Sequence, residues 1–386
     1  MLGCAIICEY NPFHCGHERQ IAELRKQFPE ACITAILAGN FVQRGEPAVL
    51  SKYDRARAAV TCGVDLAVEL PFPWSAQGAA YYARAGVSVA ARIGCRILCF
   101  GSETGNLSAL STASARLTSD EFKTAFALEE SEGMRTSASH ISAVRSVYSR
   151  LYGTDLPLGA NDTLALEYLS AIHELGAPLK PVCIRRETGF SATAAREYYR
   201  SGDAAFFDQV PSALRDHYNS LTPVPSDALG GVILGFLRTH EAAEFADCAD
   251  LGGGIAERLK RAAMESSNYA EFVARAATKK YTDSRLRRAV LCAIAGVREY
   301  DVSSLPVFTT LLAANERGSA FLRENKKTRG INVITRPSDA AEFKDFGARQ
   351  FALSSRADAL WATAAGESPA DQLRKTPFIS INHSKQ

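Results

Sequence analysis

Gly3-Cys4-Ala5-Ile6-Ile7-Cys8-Glu9-Tyr10-Asn11-Pro12-Phe13-His14-Cys15-Gly16-His17 stands almost at the start of the chain. An uncharged run, Gly3–Cys8, leads into a polar turn, and a helical pattern follows over Gly16–Phe28. The alternation then repeats: Ile33–Ala38 is apolar, Lys52–Cys62 helical, Asp65–Leu70 apolar, Ala76–Ile93 helical and Arg96–Phe100 apolar. Short strands that are apolar on both faces and separated by helices predict a parallel sheet covered on both sides. The fold class is therefore α/β, a doubly wound parallel sheet. Ligands of such sheets bind beyond the carboxyl ends of the strands. Here those ends are Glu9–His17, Gly39–Ser51, Pro71–Ser75 and Gly101–Gly105.

Residues 105–150 read as helical, Asn161-Asp162-Thr163 caps a helix over Leu164–Leu175, Pro181–Arg186 is a further strand and Ser191–Arg200 a further helix. All of this joins one catalytic domain, residues 1–222. From about Thr222 the pattern changes. Residues 226–300 are helical with joints such as Gly252-Gly253-Gly254, Ile331–Thr335 is strand-like, and helical patterning continues to about Ala365. Residues 223–386 thus form a mainly helical C-terminal region, with a loose polar tail from Glu367.

The 386 residues suit more than one domain. A net charge of only +2 excludes a global field for nucleic acid or membrane, so any basic surface must be local. The 10 cysteines are scattered through apolar runs without a Cys-x-x-Cys pair, which points to reduced thiols in a cytoplasmic protein rather than a disulfide or zinc framework. No apolar stretch reaches the ~20 residues of a membrane helix, and the N-terminal strand-like run lacks a signal peptide's charged lead-in.

His14-x-Gly16-His17 lies where the first strand hands over to the first helix. Helix N-terminal amides and the helix dipole favour an anion there. Two imidazoles can stabilise charge developing on transferring phosphate oxygens, Gly16 lets backbone approach a phosphate, and Asn11-Pro12 fixes the preceding turn. A metal pair would need a third ligand, and the remaining histidines form no pattern with these two. Ser191-Ala192-Thr193-Ala194-Ala195-Arg196, opening a late helix after Arg185-Arg186, adds hydroxyls and forked phosphate donors.

These two segments resemble the paired signatures of the HIGH-type nucleotidyltransferase superfamily, whose sheet is Rossmann-like. Glu9–His14, Gln43-Arg44-Gly45-Glu46-Pro47-Ala48, Ser51-Lys52, Gly63-Val64-Asp65, Glu69-Leu70-Pro71 and Phe100-Gly101-Ser102-Glu103 narrow the likeness to the bacterial tRNA(Met) cytidine acetate ligase family; Asn161-Asp162 and Lys279-Lys280-Tyr281-Thr282 extend it. The resemblance implies that ATP, with Mg2+, activates acetate as acetyl-adenylate, and that the wobble cytidine of elongator tRNA(Met) takes the acetyl group. No protein partner, membrane or protein-bound metal is implied. His14 and His17 would stabilise the phosphoryl transition state. Ile7, Cys8, Glu9, Tyr10, Asn11, Pro12, Phe13, His14, Gly16, His17, Gln20, Gly101, Asn161, Arg186, Ser191 and Thr193 would surround the nucleotide. Tyr10 and Phe13 either stack on adenine or pack under the loop. Lys52 is either a catalytic charge for acetate or pyrophosphate, or the solvated start of a helix. Asp65 and Glu69 either are structural or face magnesium or tRNA.

The cluster Lys279, Lys280, Arg285, Arg287, Arg288 is either a solvated helix face or, as the resemblance implies, the local site for tRNA in a chain of nearly neutral charge, with Lys279, Lys280, Arg285 and Arg288 as the contacts; Arg258, Lys260 and Arg261 form a second run. Two other functions use the same motifs: a small-molecule adenylyl- or cytidylyltransferase, which the long C-terminal half disfavours, and a non-catalytic nucleotide-binding regulator, which has no need of two imidazoles.

Overall fold

A computed structural model describes residues 1–133, 140–156, 159–186, 189–278 and 281–380. The four expected strands form as β1 (Gly3–Cys8), β2 (Cys32–Ala38), β3 (Leu66–Leu70) and β4 (Ile97–Ser102), buried almost throughout because helices cover both faces. A fifth, β5 (Lys180–Arg185), pairs in parallel with β4. Strand order is β5-β4-β1-β2-β3, and all of these pairings are parallel. The chain therefore steps outward from β1 in one direction through β2 and β3, then crosses back to β4 and β5. The switch between β1 and β4 opens a crevice at their carboxyl ends.

Helices α1 (Cys15–Gln27), α2 (Lys52–Thr61) and α3 (Ala79–Ile93) connect the first four strands. α4 (Leu107–Leu117), α5 (Asp120–Gly133), α6 (His140–Tyr152) and α7 (Ala160–Glu174) fill the long connection to β5, and α8 (Ala192–Ser201), α9 (Phe206–Gln209) and α10 (Arg215–Asn219) follow it. Two separate apolar cores result, one per sheet face. Tyr82, Val87, Ile93, Leu110, Val147 and Leu166 build the first against Leu98 and Val68. Ile21, Leu24, Ala56, Val60, Phe206 and Tyr218 build the second against Ile33 and Ala67.

Beyond residue 222, α11 (Gly230–Thr239), α12 (Ala242–Phe245), α13 (Ile255–Met264), α14 (Tyr269–Ala276) and α15 (Asp283–Ala295) enclose their own core of Leu237, Phe245, Leu259, Phe272 and Leu286. After the short α16 (Glu299–Ser303) the chain returns to the sheet. β6 (Phe308–Asn315) runs antiparallel beside β3, while β7 (Asn332–Ile334) and β8 (Phe378–Ser380) share its outer edge. Helices α17 (Glu316–Glu324), α18 (Asp345–Ala365) and α19 (Pro369–Arg374) complete the order. The sequence reading passed over β6, whose buried Phe-Thr-Thr-Leu-Leu run lies on the far side of a helical stretch from the other strands. It also took the segment from Glu367 for a loose tail. That segment instead forms α19 and β8, with Arg57 stacked over Phe378 at 5.0 Å. Residues on both sides of position 222 thus build one sheet. Among the described residues no helix is long and apolar enough to cross a membrane.

A buried ionic triad pins α18 to this sheet. Lys52 Nζ lies 2.8 Å from Glu69 Oε1 and 2.8 Å from Asp358 Oδ2, and the residue is only 4% exposed. Burial alone would lower its pKa, but Asp358 and then Glu69 outweigh burial and hold it above the usual ammonium range. Asn40 completes the set, accepting from Lys52 N at 2.7 Å and donating to Asp358 at 2.9 Å. Trp361, also on α18, donates to the Ala48 carbonyl at 2.8 Å. The catalytic role expected for Lys52 is thereby corrected: its ammonium is committed to two carboxylates, and Lys52 does not line the cleft described below. Removing one member of such a set leaves uncompensated buried charge. Lys52→Met should lower unfolding free energy by about 3–5 kcal/mol in urea titrations; normal stability with lost turnover would restore the catalytic reading.

Candidate active site

The turn after β1 is built so that α1 begins with His14 in the capping position. His14 Nδ1 accepts from Gly16 N at 3.1 Å, and His17 Nδ1 accepts from His14 N at 3.2 Å. This reciprocal pair satisfies backbone donors that a helix start leaves without intrahelical partners. It also decides the tautomers. With Nδ1 accepting in both rings, the proton of each neutral imidazole sits on Nε2. The rings stack 3.7 Å apart. His14 is 1% exposed, and its Nε2 is buried without a partner. Gly16 makes room for this arrangement, since a Cβ there would lie 2.9 Å from His14 Cε1.

Burial, then Arg186 and Arg196, push the His14 pKa down to about 4. Burial, then His14 and Arg186, hold His17 well below the ordinary imidazole range. Both rings are therefore neutral N–H donors at physiological pH. They add hydrogen bonds, while the arginines supply the charge.

A cleft of about 1160 Å³ opens over these rings. Ile7, Cys8, Glu9, Tyr10, Asn11, His14, Gly16, His17, Gln20, Gly101, Asn161, Arg186, Ser191 and Thr193 all line it. The structure thus gathers fourteen expected nucleotide residues from five segments separated by up to 186 positions (Ile7 to Thr193). Pro12 and Phe13 do not line the cleft. Phe13 is fully buried and packs edge-to-face on Tyr10 with ring centroids 4.9 Å apart. Of the two roles open to these aromatics, the structure shows packing under the turn.

Polar links hold the cleft walls together. Arg196 Nη1 donates to the Asn11 carbonyl at 2.8 Å and Nη2 to Thr193 Oγ1 at 3.1 Å, so the late helix α8 is tied to the first turn. Ser191 caps α8. Arg186 donates to Asn161 Oδ1 at 2.8 Å, and Asn161 in turn donates to Glu103. Gly101 lets the Arg186 side chain cross β4, because a Cβ would meet Arg186 Cγ at 3.1 Å. Fully buried Arg55 donates to the carbonyls of Glu9, Gly39 and Leu50, joining the ends of β1 and β2.

Sequence reasoning missed Tyr82, Phe100, Leu164, Tyr168 and Phe190 on the cleft wall. Tyr82 and Tyr168 sit on helices whose spacing reads as core, which they also join, so no sequence signal separates the two roles. Asp65 accepts from Ile33 N and Arg25 and lies before β3, at the sheet end opposite the cleft, so it is structural. Trp74 is buried and donates to the carbonyls of Val302 and Ser304.

The basic cluster divides. Lys279 and Lys280 lie outside the described residues. Arg288 is 3.3 Å from Asp250, with its side chain 16% exposed. Arg285 is 40% exposed, 3.9 Å from the same carboxylate and stacked on Tyr281 at 5.4 Å. Arg287 pairs with Glu46. Arg258 donates to the Ala276 carbonyl at 2.6 Å, and Lys260 to those of Arg238 and His240, so both close helix ends.

An imidazole pair at a helix start, opposite a serine-capped arginine helix across a doubly wound switch point, defines an adenylyl-transferring nucleotidyltransferase, and a family model described as HIGH Nucleotidyl Transferase matches residues 1–375. The tRNA(Met) cytidine acetate ligase of Geobacillus sp. strain WCH70 is 30% identical over 362 residues, spanning 88% of this chain and 90% of the relative. That of Syntrophotalea carbinolica is 32% identical over 364 residues, spanning 87% and 85%. The crystal structure of Thermotoga maritima TmcAL bound with alpha-thio ATP superposes with a TM-score of 0.91 at 25% identity, covering 99% of this chain and 100% of that one. The chain belongs to the tRNA(Met) cytidine acetate ligase family of HIGH nucleotidyltransferases.

His17 lines the cleft with its Nδ1 committed to the His14 amide, which leaves its Nε2 proton to donate. His17→Ala should cut adenylate formation by roughly 10²–10³-fold, as for loss of one preorganised donor. ATP affinity, measured by calorimetry, should change far less. Near-normal turnover would remove His17 from the chemistry.

Proposed function

We propose that this chain is an ATP-dependent ligase that acetylates the wobble cytidine of elongator tRNA(Met), activating acetate as acetyl-adenylate. The observation that carries the reading is the His14–His17 pair: two neutral rings with Nε2 protons, one of them buried and unpartnered, at the start of α1 in a cleft shared with Arg186 and Arg196. Family membership supports these substrates. It also sets aside the two competing functions, since a coenzyme adenylyltransferase or a non-catalytic regulator has no call on relatives matched across most of their length.

In this scheme an acetate oxygen attacks the α-phosphorus while the bond to the β-phosphate oxygen breaks, releasing pyrophosphate. His14 and His17 donate to the phosphoryl oxygens as charge develops, and Arg186 holds the phosphates. The cytidine N4 amine then attacks the acyl carbon; AMP departs with the bridging oxygen, and the amine loses a proton to solvent. Magnesium would arrive on the ATP phosphates.

The cleft floor supports acetate as the acyl donor. Ile7, Tyr82, Phe100 and Leu164 offer an apolar wall to its methyl group, and the buried Tyr168 hydroxyl is an unpartnered donor for its carboxylate. The tRNA would lie over α15, with Arg285 among its phosphate contacts. Labelled acetate with ATP should label tRNA(Met), and acetyl-coenzyme A should not substitute. Labelling from acetyl-coenzyme A alone would overturn the assignment.

A further inference from the structure

The loop Gly39–Ser51, between β2 and α2, is a shared wall. Val42, Gln43, Arg44 and Glu46 line the nucleotide cleft, and the back of the same turn rests on α15. Gly45 has a φ of 74°, and a Cβ there would stand 2.6 Å from Arg288 N, so turn and helix backbone meet with nothing between them. Glu46 pairs with Arg287 of that helix. On the cleft side, Gln43 N donates to Glu9 Oε1 at 2.9 Å. Within the turn, Gly45 N donates to the Val42 carbonyl at 2.8 Å and Val42 N to that of Glu46 at 3.1 Å. The turn is thereby fixed from both sides, to the phosphate-binding turn and to the basic helix.

Arg44 stands at its tip, exposed, and pairs with no carboxylate among the described residues. The guanidinium groups around it are committed: Arg196 to Asn11 and Thr193, Arg287 to Glu46 and Arg288 to Asp250. Burial lowers the pKa of Arg196 and of Arg287; Glu9 opposes this at Arg196, and the charge of Arg44 adds to it at both. Glu46 and Asp250 neutralise Arg287 and Arg288, which leaves Arg44 at the cleft as an exposed guanidinium able to meet an anion.

We propose that Arg44 holds a backbone phosphate of the RNA beside the nucleotide to be acetylated, and that its turn fixes the distance between the RNA held at α15 and the adenylate. The proposal rests on the functional reading above. A second source of the same chemistry is the pyrophosphate leaving ATP, and docking of the turn on α15 favours the RNA.

Arg44→Ala in the full chain separates the two sources. Acetate-dependent ATP–pyrophosphate exchange is measured without RNA, and acetyl transfer from preformed adenylate is measured against tRNA(Met) concentration at several salt concentrations. The half-saturating tRNA concentration should rise by about tenfold, well beyond any change in exchange, as for a phosphate contact worth about one unit of log–log salt slope. The slope should flatten by about one, and Arg44→Lys should recover most of it. Exchange falling in step with transfer would assign the contact to pyrophosphate and overturn the proposal. Unchanged tRNA saturation and slope would overturn it as well, leaving Arg44 a solvated side chain. Wild-type enzyme that transfers no acetyl group to tRNA would overturn the functional reading along with it.

Discussion

Every helix start leaves amide groups without intrahelical partners, and in α1 the side chains that meet this need are His14 and His17. His14 Nδ1 serves Gly16 N, and His17 Nδ1 serves His14 N. One constraint thus settles two things. It closes the helix, and it fixes both rings with Nε2–H as the remaining donor. Neither ring can turn its other nitrogen to a ligand without uncapping α1. The cleft is preorganised for an oxyanion by the same bonds that stabilise the fold.

The rest of the architecture keeps that helix start in position. β1, which leads into it, is central in the sheet, with β4 on one side and β2 on the other. Buried Arg55 ties the carbonyl ends of β1 and β2 together, Asn11 accepts from Val49 N at 2.7 Å, and Arg196 brings α8 onto the same turn. Burial divides the cations near this turn. Lys52 and Arg55 are enclosed and joined to protein acceptors, whereas Arg186 faces the open cleft with one bond to Asn161.

The N-terminal fold was legible because its strands are buried on both faces, giving short uniformly apolar runs between helices. The turn at the cleft was legible because His14, Gly16 and His17 stand close together in sequence at a predicted strand-to-helix junction. What escaped had no local signal. β6 owes its place to a partner strand 248 positions earlier in the register Leu66↔Ala314. The charge of Lys52 could not be told from that of a solvated helix start, because Asp358, which neutralises it together with Glu69, lies 306 positions away. Arg288 reads as one of three exposed arginines on a helix, yet Asp250 claims it across a loop. Long-range partners decide whether a charge serves the protein or a ligand.

Acetate doubly labelled with oxygen-18 tests the central claim most directly. Attack on the α-phosphorus followed by acyl transfer leaves one acetate oxygen on AMP, so mass spectrometry of the products of one turnover with tRNA(Met) should find AMP heavier by about two mass units and unlabelled pyrophosphate, the transferred oxygen being the bridging atom of the mixed anhydride. Unlabelled AMP, or label in pyrophosphate or inorganic phosphate, would mean that the α-phosphorus at His14 and His17 is not where acetate is activated.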